Sequence, residues 1–354
     1  MDAGSRDDPG LASMSGPLPS FLRPIAWVAS RIYARGVGRH AAALERVPAW
    51  EAPCPVISVG NVSAGGTGKS PMVRWICGEL RTAGRSPAVV MRGHRGGESS
   101  DEVLEHRAEM PDTPVGVGAD RRIAITRLCS MHSEVNALVL DDGFQHRQVA
   151  RDLDLVLVDA RRPAIDGDLL PLGWLREPAQ ALRRASAVIV TRAEGFDPAL
   201  AGRIERLHGR PPIAWTRHAW SGLRVASDDE AQVSWTLERL RGRSVAVWAG
   251  IGNPQAFVDQ VIRCGARVVD APRLSDHQAF DARLLERLTA RARGAGATEV
   301  VCTGKDWVKL RLLPRPRALA IVRTQVGIEF IEGEVALRRA LFEAMARGDQ
   351  RTCR

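Results

Sequence analysis

Residues 55–70 read PVISVGNVSAGGTGKS, and the fold turns on them. Val56, Ile57 and Val59 form a short, nearly continuous apolar run, which suits a strand buried on both faces. The loop after it holds Gly65, Gly66 and Gly68, whose backbones can bend so that successive N–H groups point inward at phosphate oxygens. A helix predicted from about Ser70 to Ala83 adds the positive end of its dipole. Lys69 can then reach the β- and γ-phosphates, and the Ser70 hydroxyl can ligate Mg²⁺. One departure is visible: the strict pattern has Gly six residues before the lysine, where this chain has Ser63. Strand, glycine loop and helix in this order predict a phosphate-binding P-loop made of Ser63, Ala64, Gly65, Gly66, Thr67, Gly68, Lys69 and Ser70.

Outward from the loop the same alternation continues. PAVVM (87–91), ALVLDD (137–142), LDLVLVDA (153–160) and SAVIVT (186–191) are further apolar strands separated by helical stretches. Such runs indicate an α/β, P-loop NTPase-like parallel sheet with helices on both faces. A second, smaller α/β domain is read from SVAVWAGIGNPQAFVDQVIRCG and ATEVVCTGKDWVKL. The expected organisation is a disordered tail over 1–19, an amphipathic helix over 20–40 and a P-loop domain over 41–217. A polar linker over 218–242 and the smaller domain over 243–350 follow.

The chain has 354 residues and is 45% hydrophobic, enough for a sizeable core in two domains. Its six cysteines are scattered without CxxC pairs or His clusters, which argues against zinc and for reduced thiols. A net charge of +9 suits an anionic partner, whether nucleic acid, lipid surface or phosphorylated substrate. Aromatic residues are only 5% and are not interleaved with Arg clusters, so the stacking platforms of a single-strand binder are missing. No apolar run is long enough to span a bilayer, and the N-terminus lacks the order of a signal peptide, so a cytoplasmic location is expected. In FLRPIAWVASRIYARGVGR (21–39), Phe21, Ile25, Val28 and Ile32 share one helical stripe and Arg23, Trp27, Arg31 and Arg35 another. That pattern fits either a helix packed on the core or one lying in a membrane interface.

Chemistry concentrates in a few other places. LVLDDGFQHR ends a buried strand in Asp141 and Asp142, about 70 residues after the loop, where a P-loop fold keeps its Mg²⁺-associated carboxylate. Asp-Asp-Gly is also a good turn sequence, but carboxylates at a strand's carboxyl end face the phosphates in this topology. Asp101-Glu102 and Asp276-His277 read, taken alone, as solvated or capping pairs. They matter because phosphoryl transfer to an alcohol benefits from a carboxylate that accepts the hydroxyl proton, with a His to position it. Arg176, in LPLGWLREP (170–178), offers a planar donor fork for a substrate phosphate.

SVGNVSAGGTGKSP, MRGHRG, DDGFQHRQVARDLDLVLVDA, GDLLPLGWLREP, WAGIGNP, SDHQAF and TGKDWVKL follow one another in this order. The series resembles the tetraacyldisaccharide 4'-kinase family, over most of the chain from about Phe21 to Leu310 and including the Ser63-type loop. The resemblance implies an ATP- and Mg²⁺-dependent kinase acting on an acylated glucosamine disaccharide 1-phosphate, a precursor of lipid A. By it, Gly65 to Ser70 bind ATP phosphates and Mg²⁺, and Asp141 and Asp142 stand near the metal. Gln145, His146, Arg176 and Glu177 line the substrate side. Asp101 is the general base, and His277, from the second domain, pairs with it and completes the site on closure. The helix near the N-terminus becomes a membrane-facing element at the cytoplasmic face of the inner membrane. The enzyme is expected to act as a monomer without nucleic acid. His94, Gln278 and Gly304 stand where the family usually has Tyr, a second His and an acidic residue.

Two readings from other classes compete. A P-loop GTPase or metal-insertion chaperone needs a guanine-reading Asn-Lys-x-Asp after a late strand, and Thr191-Arg192-Ala193-Glu194 matches it poorly. A nucleic-acid binder rests on charge alone, and its mark would be salt-sensitive binding without ATP.

Overall fold

The computed structural model describes residues 17–93, 97–225, 233–276, 278–313 and 319–352. The expected tail lies almost wholly outside the described residues. In chain order the first elements are α1 (Arg23–Glu45), β1 (Val56–Asn61), α2 (Lys69–Thr82), β2 (Pro87–Met91), α3 (Asp101–Glu109), β3 (Val115–Val117) and α4 (Arg121–Met131). There follow β4 (Ala137–Asp141), β5 (Leu153–Asp159), β6 (Ala187–Thr191), α5 (Pro198–His208), β7 (Ala214–Val225) and β8 (Val233–Trp235). The last are β9 (Ser244–Trp248), α6 (Pro254–Arg263), β10 (Arg267–Asp270), α7 (Ala282–Gly294), β11 (Glu299–Cys302), α8 (Gly304–Leu310), β12 (Ala320–Glu332) and α9 (Glu334–Thr352).

The chain forms two compact units. The first holds residues up to Gly97, Asp112–His218 and Glu329–Arg354, and the second holds Glu98–Pro111 and Ala219–Ile328. In the first, strands lie in the order β3-β2-β4-β1-β5-β6-β7, all parallel. Every residue of β1, β2, β4, β5 and β6 is buried, as a sheet covered on both faces requires. β1 lies between β4 and β5, so the loops leaving β1 and β4 open at a topological switch point, where α/β sheets bind ligands. In the second unit β10, β9, β11 and β12 are parallel in that order.

The division departs from the expected boundaries in three places. Residues 98–111 belong to the second unit, because α3 packs on α8 and Glu109 pairs with the buried Arg323 of β12. Arg323 also donates to the Ala108 carbonyl at 3.0 Å. The C-terminal helix α9 belongs to the first unit: it packs against β1 and β5, burying Leu337, Leu341, Ala344 and Met345. Its Arg338 reaches Glu79 at 2.6 Å and its Arg351 reaches Asp152 at 3.0 Å. Residues 218–242 are no plain linker, since β7 runs on to Val225 and pairs antiparallel with β8.

α1 also differs from the simplest amphipathic expectation. Its inward face is made of small or polar residues, with Ala26 and Ser30 buried. The stripe of Phe21, Ile25, Val28 and Ile32 is exposed, Phe21 at 76% and Ile25 at 69%. Hydrogen bonds hold the helix to the rest of the first unit: Ser30 Oγ donates to the Leu169 carbonyl at 3.0 Å and Tyr33 Oη to the Arg176 carbonyl at 2.9 Å, while Arg147 donates to the Ala41 carbonyl at 3.4 Å and to Glu45 at 3.3 Å.

Candidate active site

β1 ends at Asn61, and the chain then turns through residues 62–68 into α2, whose first residue is Lys69. Gly68 takes φ +85°, a left-handed conformation that a side chain would strain, and so points the loop into the helix. The loop is held from outside. Ala64 N–H donates to the Trp174 carbonyl at 2.7 Å, Arg176 N–H to Val62 at 2.8 Å, and Thr191 Oγ1 to Thr67 at 2.7 Å. The 170–178 run is therefore hydrogen-bonded along the first half of the P-loop. Arg162 fastens the same corner, with its guanidinium 3.9 Å from the Trp174 ring centroid and Nη2 3.4 Å from the Ala64 carbonyl.

At the loop's inner end Lys69 Nζ lies 3.4 Å from Asn61 Oδ1 and 3.5 Å from Asp142 Oδ1. The other oxygen of Asp142 accepts from Arg176 Nη1 at 2.8 Å. Burial alone would raise the Asp142 pKa, but the charges of Lys69 and Arg176 and their hydrogen bonds outweigh it and hold it lowered. Asp142 also has φ +54°, unusual for a residue with a Cβ, so the turn after β4 aims it deliberately. Asp141, the last residue of β4, is buried beside Val59 of β1. The turn can close because Gly60 has no Cβ: one built there would lie 2.5 Å from Phe144 Cβ and 2.7 Å from Phe144 N.

A cavity of about 800 Å³ opens beside Asp142 and Arg176. One wall is α1, through Tyr33, Val37 and Leu44, and the other carries Gln145, His146, Arg176 and Glu177. Gln145 Nε2 donates to the Asn61 carbonyl at 2.8 Å and to Glu177 Oε1 at 2.7 Å, and Arg184 binds Glu177 Oε2 at 2.8 Å. Gln145 and Glu177 are thus fixed by neighbours, while Arg176 is spanned by Asp142. The His146 pKa is pushed down to about 4, chiefly by burial and then by the charges of Arg121 and Arg151, so its ring is neutral at pH 7. Thr67 Oγ1, Asn61 Nδ2 and His146 Nε2 are buried without a hydrogen-bond partner among the described residues, which marks them as candidates to meet a ligand.

The sequence reading missed Arg121, the buried first residue of α4, which faces the cavity and whose pKa burial lowers. Nothing in its local sequence marked it. Arg162 and Trp174 were missed because the loop residue they both hold, Ala64, lies far away in sequence, and Arg184 because nothing in its local sequence marks it.

The metal expectation can be tested against the donor set. Ser70, Asp141 and Asp142 offer oxygen only, and Asp142 Oδ1 has its ion pair with Lys69 but no well-formed hydrogen bond. Among the described residues no group of three His, Cys, Asp or Glu could cage an ion. One or two carboxylates plus phosphate oxygens is how Mg²⁺ is usually held, so these residues fit it.

Asp101 stands in the second unit, at the start of α3, with Lys309 Nζ 3.5 Å from its Oδ2. His277 and His94 lie outside the described residues. Gln278 uses its side chain to close its own loop, accepting from Ser275 N–H at 3.3 Å and donating to the Ala279 carbonyl at 2.7 Å. Gly304 opens α8, and a Cβ there would lie 3.6 Å from Glu109 Oε1, a poor neighbour for the acidic residue usual in the family.

The family model for tetraacyldisaccharide-1-P 4'-kinase matches residues 18–346. A tetraacyldisaccharide 4'-kinase of Geobacter sulfurreducens is 37% identical over 73% of this chain and 77% of its own length. One from Anaeromyxobacter sp. strain K is 34% identical over 98% of this chain and 95% of its own. Among solved structures, LpxK from Aquifex aeolicus in complex with ATP superposes with a TM-score of 0.69 at 23% identity. The match covers 92% of this chain and 99% of that one, a likeness of fold. With a P-loop, a paired Asp-Asp turn and an arginine-lined cavity in place, the matches agree: the chain belongs to the tetraacyldisaccharide 4'-kinase family.

Proposed function

We infer that the protein moves the γ-phosphate of ATP to the 4'-hydroxyl of an acylated glucosamine disaccharide 1-phosphate, a step in lipid A synthesis. The observation that carries this is the Lys69–Asp142–Arg176 triad, which joins the nucleotide loop through one carboxylate to the cavity that Asp142 and Arg176 line. Phosphoryl transfer is chiefly positioning and charge neutralisation. The P-loop N–H groups and Lys69 bind the phosphates, and Asp142 keeps Lys69 and Arg176 apart and aimed until phosphate oxygens compete for them. Mg²⁺, held by Ser70, Asp141 and Asp142 with the phosphates, would supply further charge neutralisation. Gln145 and Glu177 brace the wall, and neutral His146 presents Nε2 to a sugar hydroxyl. Asp101 takes the 4'-hydroxyl proton.

The acceptor's chemistry suits the cavity, which joins an apolar helix wall to Arg92, Arg121 and Arg176. α1 supports a peripheral membrane location. No helix among the described residues is long and apolar enough to cross a membrane, yet its exposed stripe and flanking arginines suit the lipid interface. Each large apolar side chain there is worth roughly 1.5–3 kcal/mol when fully buried. The GTPase reading gains nothing from the segment after β6, where Arg192 Nε is bonded to Asp159 at 3.0 Å. The test is release of ADP from ATP or GDP from GTP, with and without the acylated acceptor in detergent micelles. Acceptor-dependent release from ATP, absent in Lys69→Ala, is expected. Acceptor-independent, GTP-selective turnover would move the protein to the switch class.

A further inference from the structure

Within the second unit, two parts of the chain that the reaction has not yet used meet TGKDWVKL (303–310), which holds α8: AGIGN (249–253), and Ser275 with Gln278. Asp306, fully buried, ties them together. Its Oδ2 accepts from Gly250 N–H at 3.0 Å and from Thr303 Oγ1 at 2.7 Å, and its own N–H donates to Thr303 Oγ1 at 3.1 Å. The backbones pack so closely that a Cβ on Gly250 would lie 2.9 Å from Asp306 Oδ1 and 2.9 Å from Gln278 Cβ. Trp307, Val308 and Leu310 are buried beneath, so α8 has little freedom to move. From this fixed platform Lys309 turns outward. Its Nζ lies 3.5 Å from Asp101 Oδ2 and 3.3 Å from the Gln278 carbonyl.

We propose that Lys309 is a positioning residue for Asp101, holding its carboxylate in register with Gln278. The proposal rests on the kinase reading with Asp101 as base. Asp101 is about half exposed at the first position of a nine-residue helix. An ordinary surface ion pair contributes little, because both partners must be ordered to form it. Here the ordering is already done. Lys309 is 19% exposed, its backbone is anchored by Asp306 and the α8 core, and a second acceptor fixes the ammonium. The ammonium has three donors, enough to bond both acceptors at once. TGKDWVKL thus gains two parts: Asp306 braces, and Lys309 reaches.

The test is steady-state kinetics of Lys309→Met, Lys309→Arg and Asp101→Asn in the full-length protein, each with a thermal melt. Lys309→Met is expected to lower kcat on the order of 10²-fold, the scale of an ångström-size misplacement, with both KM values and Tm unchanged. Lys309→Arg should recover most of the loss, which a merely structural role would not predict. Lys309→Gln serves under the same criterion if the Met variant does not fold. Wild-type kcat in Lys309→Met beside a dead Asp101→Asn overturns the proposal and leaves the kinase reading standing. A raised KM with unchanged kcat also overturns it. An active Asp101→Asn removes the base assignment itself, and the proposal falls with it.

Discussion

Gly60→Ala is the smallest change that should damage both stability and turnover. Gly60 lies in β1, and an added Cβ meets Phe144 at 2.5 Å (Cβ), 2.7 Å (N) and 3.1 Å (Cα). Non-bonded carbons rest at about 3.5–4.0 Å, so the turn must retreat by about 1 Å. It has nowhere to go. Phe144 is wholly buried, and the Arg184 guanidinium covers its ring at 4.1 Å. Overpacking of this kind costs about 1–3 kcal/mol, and at ~2 kcal/mol Tm falls by about 4–8 °C. The same retreat moves Asp142, two residues earlier, away from Lys69 and Arg176, which should lower kcat on the order of 10²-fold. Gly78→Ala, in the middle of α2, is the internal control. Nothing lies within 4 Å of its Cβ, so it should gain about 0.5–1 kcal/mol and keep its turnover. Urea unfolding and steady-state kinetics on both variants decide the matter. A Gly60→Ala protein as stable and active as wild type would refute the reasoning.

Asp142→Asn leaves Lys69 and Arg176 facing each other without their shared carboxylate, and should cut kcat by at least on the order of 10²-fold while the loop's contacts to the nucleotide remain. Because the folded pKa of Asp142 is lowered, its contribution to stability is complete above the ordinary carboxylate range. It is lost as pH falls through the folded value, so the Asn variant should show less acid sensitivity in urea unfolding at stepped pH. Arg323→Met strands Glu109 in a buried setting and should destabilise the second unit by about 3–5 kcal/mol, while Arg323→Met with Glu109→Leu should regain most of it in the same unfolding assay. His146 titrates near 4 when folded and near 6.5 when unfolded, so between those values only the unfolded chain takes up the proton. Stability should fall on acidification through that window by roughly 1–2 kcal/mol, about half the full-burial value since the ring is partly exposed, and His146→Gln should flatten the fall.

The sheet of the first unit was legible because parallel, doubly covered strands must be apolar throughout. PAVVM, ALVLD and AVIVT were found nearly to the residue. β3 was not, since Val115–Val117 is three residues around a glycine. β12 was missed because its run carries Arg323, Gln325 and Glu329 among the apolar residues, and the pairing that explains Arg323 comes from Glu109, over two hundred positions away. That ion pair is also why Asp101 stands in the second unit, which local sequence cannot reveal. The P-loop stretch stood out because its glycines, Lys69 and Ser70 lie within eight consecutive residues. The Asp142 triad was half readable: both carboxylates were named, but the choice of Asp142 as the one facing Lys69 depends on a positive φ in a turn. α1 was read correctly as a helix, while the solvent-facing stripe follows from Ala26 and Ser30 meeting the core in place of Ile25 and Ile32.

The most direct measurement of the central claim is the product itself. Purified protein, Mg²⁺-ATP and tetraacyldisaccharide 1-phosphate in detergent are incubated, and the lipid is examined by mass spectrometry and ³¹P NMR. The account predicts a lipid heavier by one phosphoryl group, with a second phosphomonoester signal, formed from ATP and missing with Lys69→Ala. A folded, ATP-binding protein that leaves the lipid unchanged would contradict it.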